Sequence, residues 1–371
     1  MSKILGIVSP ENDTVIVEGL MDYRPIPAIS FLGRYRLIDF AVSNLSNSHI
    51  DHIKVFVKKQ PRSLIEQLGD GRQYGINSKR GRLQILYNDL GGMSSLYNTD
   101  INTYLRNIEF IEDADEEYVA ITPGYQIYSL DFQKVLAQHL ETGADVTVLY
   151  KTTDRAKERF IGCPALTIEK GLVTESYTNL GKRKNAAISM ETYFMSKELF
   201  IKLVREAHAA SSAYSLRDIL RDKLGSLVIM GYHYKGYFAC INSMNSYYKT
   251  SMELLDYSTA KELFRPEWPI YTKTNDSVPA FYGPEAHAEH SVIANGCRIE
   301  GTVINSALGR GVVVEKGAVV KDAILLPFSH IGKDCHVEYA VVDKWAKVNR
   351  IKEIRGTSSF DVAYIRRRDN I

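Results

Sequence analysis

Two textures divide this chain, and together they predict an α/β domain followed by a left-handed parallel β-helix. Residues 1–263 alternate short apolar runs of strand length with segments of helical periodicity, as in a layered strand–helix–strand fold. Residues 264–284 carry Pro266, Pro269, Pro279 and Pro284 and read as a linker. Beyond it, in 285–371, aliphatic residues fall six apart: Ile293 and Ile299; Leu308, Val314 and Val320; Leu325, Ile331 and Val337; Val342 and Val348. Six residues per flat side and three sides per turn, with slips of five between the last three groups, is the β-helix pattern, in which inward aliphatics stack and small residues turn the corners.

The elements follow in order. Ile4–Val8 is a short apolar run without alternation, a buried first strand. Pro25, Pro27 and Gly33 mark a loop, after which Leu37, Phe40, Ala41, Leu45 and Ile50 recur at helical spacing. His52–Val57 predicts a second strand, Arg62–Leu68 a helix ended by Gly69, and Tyr118–Ile121 a central strand. Asp131–Thr142 is an amphipathic helix, Asp145–Tyr150 and Ala187–Met195 are strands, Phe194–Leu224 is mostly helical, and Leu227–Tyr237 is strand-like.

Composition excludes several classes. A chain of 371 residues with 45% hydrophobic and 24% charged content has enough sequence for two cores. A formal net charge of +2 makes no electrostatic case for nucleic acid or a membrane surface. Lys182-Arg183-Lys184 and Arg366-Arg367-Arg368 read as solvated surface or tail, and Asp113–Glu117 as a solvated acidic turn. Cys163, Cys240, Cys297 and Cys335 are scattered, with no C-x-x-C spacing, so a reducing cytoplasm is the expected compartment. No run of residues is suited to a signal or a membrane span. His290, His330 and His336 are isolated, and nothing beside them singles out a nucleophile or base.

The stretch Arg24–Ile50 carries unusually specified polar residues: Arg34 and Arg36 before the helix, Asp39, Ser43 and Asn44 within it. Two readings stand side by side: Arg36 reaching a phosphate, or an ordinary Arg36–Asp39 pair closing a loop–helix junction.

This stretch resembles the segment K-R-x-K-P-A-x-x-F-G-G-x-x-R-x-I-D-F-x-L-S-N of the glucose-1-phosphate adenylyltransferases, also called ADP-glucose pyrophosphorylases. Trp268-Pro269-Ile270-Tyr271 is similar to that family's W-P-I-x-T, and Asp343-Lys344 to its I-D-[KR]. The resemblance implies a Rossmann-like nucleotidyltransferase domain of GT-A type over 1–263. It also implies the reaction of ATP with glucose 1-phosphate to give ADP-glucose and pyrophosphate. The motifs that carry that chemistry are altered here. The glycine-rich phosphate loop is replaced by Gly6–Thr14, with Glu11 and Asp13 where a triphosphate would lie. The nucleotide loop G-T-A-D-A is absent around Gly91–Asn98, and the sugar-phosphate lysine of F-x-E-K-P is absent at Glu175–Asn179, with Lys182–Lys184 nearby as a substitute contact. Of the two aspartates that hold magnesium in the family, one is matched by Tyr125 and the other by Cys240, and neither side chain replaces a carboxylate as a hard oxygen ligand.

The chain therefore resembles the GlgD-type subunits, which accompany a catalytic subunit in bacterial glycogen synthesis. What this implies is a degenerate site with no catalytic residues and no metal or other cofactor on this chain, the magnesium belonging to the catalytic partner. It further implies a heteromer, expected as a heterotetramer, that answers to a phosphorylated effector. Arg24, Arg36 and Lys344 match effector-binding positions of relatives, although Tyr23 and Ile26 stand where relatives have lysines. A role for the three in supporting the interdomain contact is equally consistent with the pattern. The other readings are an autonomous enzyme with a rebuilt site using Lys182, Arg183 and Asp22, and a sugar-phosphate or nucleotide sensor.

Overall fold

The computed structural model describes residues 3–10, 15–76, 79, 81–87, 99–211 and 213–371. A nine-stranded sheet forms the first domain, in the spatial order Arg82–Tyr87, His52–Val57, Ile4–Ser9, Tyr118–Pro123, Ala186–Ser196, Val146–Thr153, Ile229–His233, Leu172–Thr178, Pro164–Glu169. The first four strands are mutually parallel, so their C-terminal ends open on one edge. Ala186–Ser196 runs antiparallel to both its neighbours.

The first strand shows why the sheet is sandwiched. Successive side chains point to opposite faces, so an unbroken apolar run is stable only when both faces are covered. Ile4 and Val8 join a core with the helices Leu37–Asn47, Phe132–Thr142 and Met244–Glu253, while Leu5 and Ile7 join another with Asp100–Arg106, Lys197–Ala210 and Leu216–Asp222.

Local signals set the helix ends. Asp131 caps Phe132–Thr142 by accepting from the Gln133 N–H at 2.9 Å, and Gly143, with φ of 60°, ends it. Ser196 caps Lys197–Ala210, so Phe194 and Met195 stay in the strand where a helix from Phe194 was expected. The strand expected over Leu227–Tyr237 is confined to Ile229–His233, because the chain turns out at Lys235 and Gly236, whose carbonyls accept from Lys151 Nζ at 3.0 and 2.8 Å. The acidic run is not merely a solvated turn. Glu116 is buried and paired with His52 Nδ1 at 2.5 Å, which a strand partner 64 residues away makes possible.

Short parallel strands from Phe281 to Ile365 wind into a three-faced β-helix. Its interior is three aliphatic columns: Ile299, Val314, Ile331 and Val348; Val303, Val320, Val337 and Ile354; Leu308, Leu325, Val342 and Ile365. The five-residue slips have a geometric meaning. A typical coil advances 17 residues, as from Ser306 to Ala323, so two sides take six residues and one takes five. The basic C-terminal run is not a free tail: Ala363–Ile365 pairs with His336–Val342, and the Ile371 N–H donates to Lys347 O at 2.9 Å.

The two domains share one core, since Ala307, Ile324, Leu326 and Val341 of the β-helix pack into the cluster on one face of the sheet. Gly33, with φ of 72°, permits this: a Cβ there would lie 2.9 Å from Leu308 O. The segment after the first domain lies along the Leu37–Asn47 helix, with Trp268 Nε1 donating to Asn44 Oδ1 at 3.0 Å and the Tyr271 N–H to Ser43 Oγ at 2.9 Å. Among the described residues, no helix is long and apolar enough to cross a membrane.

Candidate functional site

Two places on this framework collect the residues singled out by sequence. At the open edge of the sheet, Gln126–Ile127 pairs antiparallel with Ala239–Cys240, which brings Tyr125 and Cys240 together from 115 positions apart in the chain. The Ile241 N–H donates to Tyr125 O at 3.3 Å and closes the join. The Tyr125 phenol is buried and donates to Glu191 Oε2 at 3.3 Å. Burial, and then the Glu191 charge, hold its hydroxyl well above the usual tyrosine range. The Cys240 thiol is likewise pushed up, by its hydrogen bond with Cys163 and by burial. Glu191 sits in a bulge between Ser189 and Tyr193 with φ of 44°, and its Oε1 is 3.8 Å from Arg217 Nη1. A cavity of about 550 Å3 opens beside this group, lined among others by Ser9, Lys58, Asp100, Glu191 and Arg217. Burial raises the Asp100 carboxyl, against the nearby Lys58 ammonium. Among the described residues, no group of three or more His, Cys, Asp or Glu is placed to hold a metal ion.

Of the altered nucleotide-binding segments, Ser9 and Pro10 line this cavity. Positions 11–14 and the loop at 91–98 lie outside the described residues. Asn179, at the end of the altered sugar-phosphate segment, is buried and structural: its Nδ2 donates to Ala156 O, Arg159 O and Phe160 O at 2.9, 3.2 and 3.0 Å. Lys182, Arg183 and Lys184 are exposed, and none lines the cavity beside Tyr125.

The second place is the domain junction, where Arg24, Arg36 and Lys344 converge. Arg24 is only 4% exposed, and its Nη2 donates to both Asp343 oxygens at 2.7 and 2.5 Å. Tyr364 Oη and the Lys344 N–H donate to the same carboxylate at 3.0 and 2.6 Å. Arg36 does not form an ion pair with Asp39. Its backbone N–H donates to Asp39 Oδ2 at 2.8 Å as a helix cap, and its guanidinium donates to Ser63 O. Asp39 is fully buried, also accepts from Gln67 and Tyr74, and is raised by that burial. Arg367 joins the group and lies over the rings of Trp345 and Tyr23, at 4.9 and 5.3 Å.

Arg24, Arg36 and Arg367 thus crowd Lys344, with the Asp343 carboxylate among them and Asp39 beside Arg36. Burial and the repulsion of Arg36, Arg24 and Arg367, offset in part by Asp343, push the Lys344 ammonium down to about 7. Two buried donors of this cluster have no partner among the described residues, Arg24 Nη1 and Arg367 Nε. A buried guanidinium N–H without an acceptor is costly, so both donors suit an anion. Sequence reading missed Arg367, taking it for a tail; its signal was the Arg366–Arg368 run beside a β-helix end. Glu191 and Cys163 carried no local signal. His290, His330 and His336 lie instead on the β-helix surface, within 2.9, 2.8 and 3.8 Å of Asn305, Glu315 and Glu338.

The fold and the altered site define a class. Residues 20–256 match the nucleotidyl transferase family and residues 278–367 the GlmU-like C-terminal hexapeptide family, and the chain belongs to the nucleotidyl transferases. Within that class it is 34% identical to the glycogen biosynthesis protein GlgD of Geobacillus stearothermophilus, over 86% of this chain and 83% of that one. It is 28% identical to GlgD of Bacillus subtilis, over 96% and 94% of the two chains. It is also 32% identical to a glucose-1-phosphate adenylyltransferase of Clostridium perfringens, over 82% and 79%.

Proposed function

We propose that this chain is the regulatory, catalytically deficient subunit of an ADP-glucose pyrophosphorylase in glycogen biosynthesis. It pairs in the cytoplasm with the catalytic subunit that converts ATP and glucose 1-phosphate to ADP-glucose and pyrophosphate, in a heterotetramer. One observation carries the reading. The two positions that supply metal aspartates in the family are adjacent in space and are filled by a phenol and a thiol, both buried and both held neutral. A magnesium ion does not fit this pair, because it requires oxygen ligands of carboxylate character in octahedral geometry. Glu191 is the carboxylate in contact with Tyr125 and is already engaged by it and by Arg217, while Asp100 and Asp218 line the same cavity, the Asp100 carboxyl raised by burial. No cofactor is assigned to this chain.

The regulatory half of the reading rests on the junction. Arg24, Arg36, Lys344 and Arg367 offer a phosphorylated metabolite a cationic cluster with two donors unpartnered among the described residues. Its phosphate, dianionic above pH of about 6, would be held by charge-assisted hydrogen bonds at the hinge between the domains. A ligand there affects turnover in the partner only by binding two states of the assembly with different affinity.

The deciding experiment measures pyrophosphate release from ATP, magnesium and glucose 1-phosphate. It uses this chain alone, its catalytic homologue alone, and both together. No turnover alone, with faster or effector-shifted turnover in the mixture, supports the proposal. Robust turnover by this chain alone overturns it.

A further inference from the structure

A second cavity, of about 900 Å3, includes neither Tyr125 nor Cys240 and none of the junction cations. It lies where the strands Val146–Thr153 and Leu172–Thr178 end, against the loop that carries Phe160 and the turn at Gly236–Phe238. We propose that this cavity binds an uncharged oligosaccharide, through its aromatic walls and its mixed set of hydrogen-bonding charged side chains.

The walls are prearranged. Phe160 and Phe238 both line the cavity and stack at 5.3 Å with 7° between planes. Phe160 adopts φ of 58°, a left-handed conformation that a bulky residue rarely accepts, so the loop must be held by something else. Asn179 holds it, through the three carbonyl contacts that span Ala156 to Phe160. Strain kept in a rigid loop, with its product an aromatic face turned to a cavity, is the arrangement of a binding wall. Tyr177 supplies another wall and is half-buried, with the Arg183 guanidinium over its ring at 4.8 Å.

The polar groups are also fixed. The Arg159 guanidinium is bidentate on Glu253, and Tyr237 Oη donates to the same carboxylate at 3.3 Å. Lys151 Nζ is anchored on the carbonyls of Lys235 and Gly236. At the rim stand the exposed Arg155 and Arg183 and the exposed Asp154 and Glu262. The charged lining groups are four cations and three carboxylates, with Arg159 engaged by Glu253 and Lys151 by two carbonyls, so they leave little free positive charge to select a dianion. They do offer donors and acceptors together, as sugar hydroxyls require, and a pyranose presents an apolar C–H face to an aromatic ring. The volume is within the range of sites for ligands larger than a monosaccharide. This use also gives Arg183 a role that the altered catalytic site does not.

The test titrates the full chain with maltotriose, cellotriose, glucose 1-phosphate and inorganic phosphate, reading saturation transfer to the sugar protons. The expected result is saturable binding of at least one trisaccharide with Kd of about 1 mM, undisturbed by inorganic phosphate. Tyr177→Ala and Arg183→Ala should each weaken it by about tenfold with the thermal midpoint retained. Should Tyr177→Ala unfold the chain, Glu262→Gln, at an exposed rim position, serves in its place. Failure of both trisaccharides to bind at about 10 mM overturns the proposal, as does binding that none of the variants changes. Glucose 1-phosphate binding that Tyr177→Ala weakens, with no trisaccharide bound, would also overturn it. The titration needs no catalytic partner and no effector, so it stands apart from the regulatory reading.

Discussion

The pocket around Tyr125 and the junction around Arg24 meet the same problem, buried polar groups, in opposite ways. At Tyr125 the phenol and the thiol are neutral and engaged, the phenol on the Glu191 carboxylate and the thiol on the Cys163 thiol. At the junction, Arg24, Arg36 and Arg367 crowd Lys344 around Asp343, and two buried donors have no partner among the described residues. The difference teaches that one fold can bury a neutral polar pair in one place and an excess of cations in another.

The comparison breaks first at the junction. Arg24→Ala should cost about 3–5 kcal/mol in denaturant unfolding, because it leaves the buried Asp343 carboxylate without its cation. A loss under about 1 kcal/mol would show that the interdomain contact does not depend on the pair. The next largest effect is expected in the filled pocket. Tyr125→Asp should destabilise by about 3 kcal/mol, since it opens a void and places a second carboxylate beside Glu191. It should not produce pyrophosphate release, because the other ligand position still holds Cys240. Turnover by that single variant would mean that the pocket is closer to an active site than its neutral pair implies.

Two smaller effects sharpen the contrast. Lys344→Met should weaken binding of a phosphate ester by about tenfold in calorimetry, yet leave the ligand-free fold as stable or more so, because one of four crowded cations is removed. The pH dependence follows from the same residue. Its folded-state value of about 7 lies below that of an unfolded lysine, so the unfolded chain binds more protons above pH 7. Stability should therefore rise with pH from about 7 toward 10 as this contribution is relieved. A bound anion favours the charged ammonium, so binding takes up a proton and affinity should fall above pH 7, by at most tenfold per unit. Affinity flat from pH 7 to 9 would exclude Lys344 from the anion contact.

How much of this was legible depends on the range of the signal. The β-helix columns were readable residue by residue, because a six-residue period is local and each inward aliphatic is close in sequence to the next. The central strands and most helices were readable for the same reason, through caps and apolar periodicity. The pairing of Tyr125 with Cys240 was expected through resemblance, since no local pattern links residues so far apart. Glu116, Glu191, Asn179 and Arg367 were not legible in their roles. Each is a polar residue whose meaning comes from a partner on a distant element: His52, Tyr125, the Phe160 loop and Trp345. Of the Arg36–Asp39 alternatives, the ion pair is replaced by a backbone cap, which leaves the guanidinium on Ser63 O.

The Tyr125–Glu191 contact has a historical consequence. An aspartate restored at either former ligand position would first be a buried, uncompensated acid near Glu191, a stability loss with no activity to set against it. Only the paired change, made in one background, could be favoured by selection for turnover. On the proposed reading the contact acts as a ratchet: single steps toward a metal-binding pair run uphill in stability.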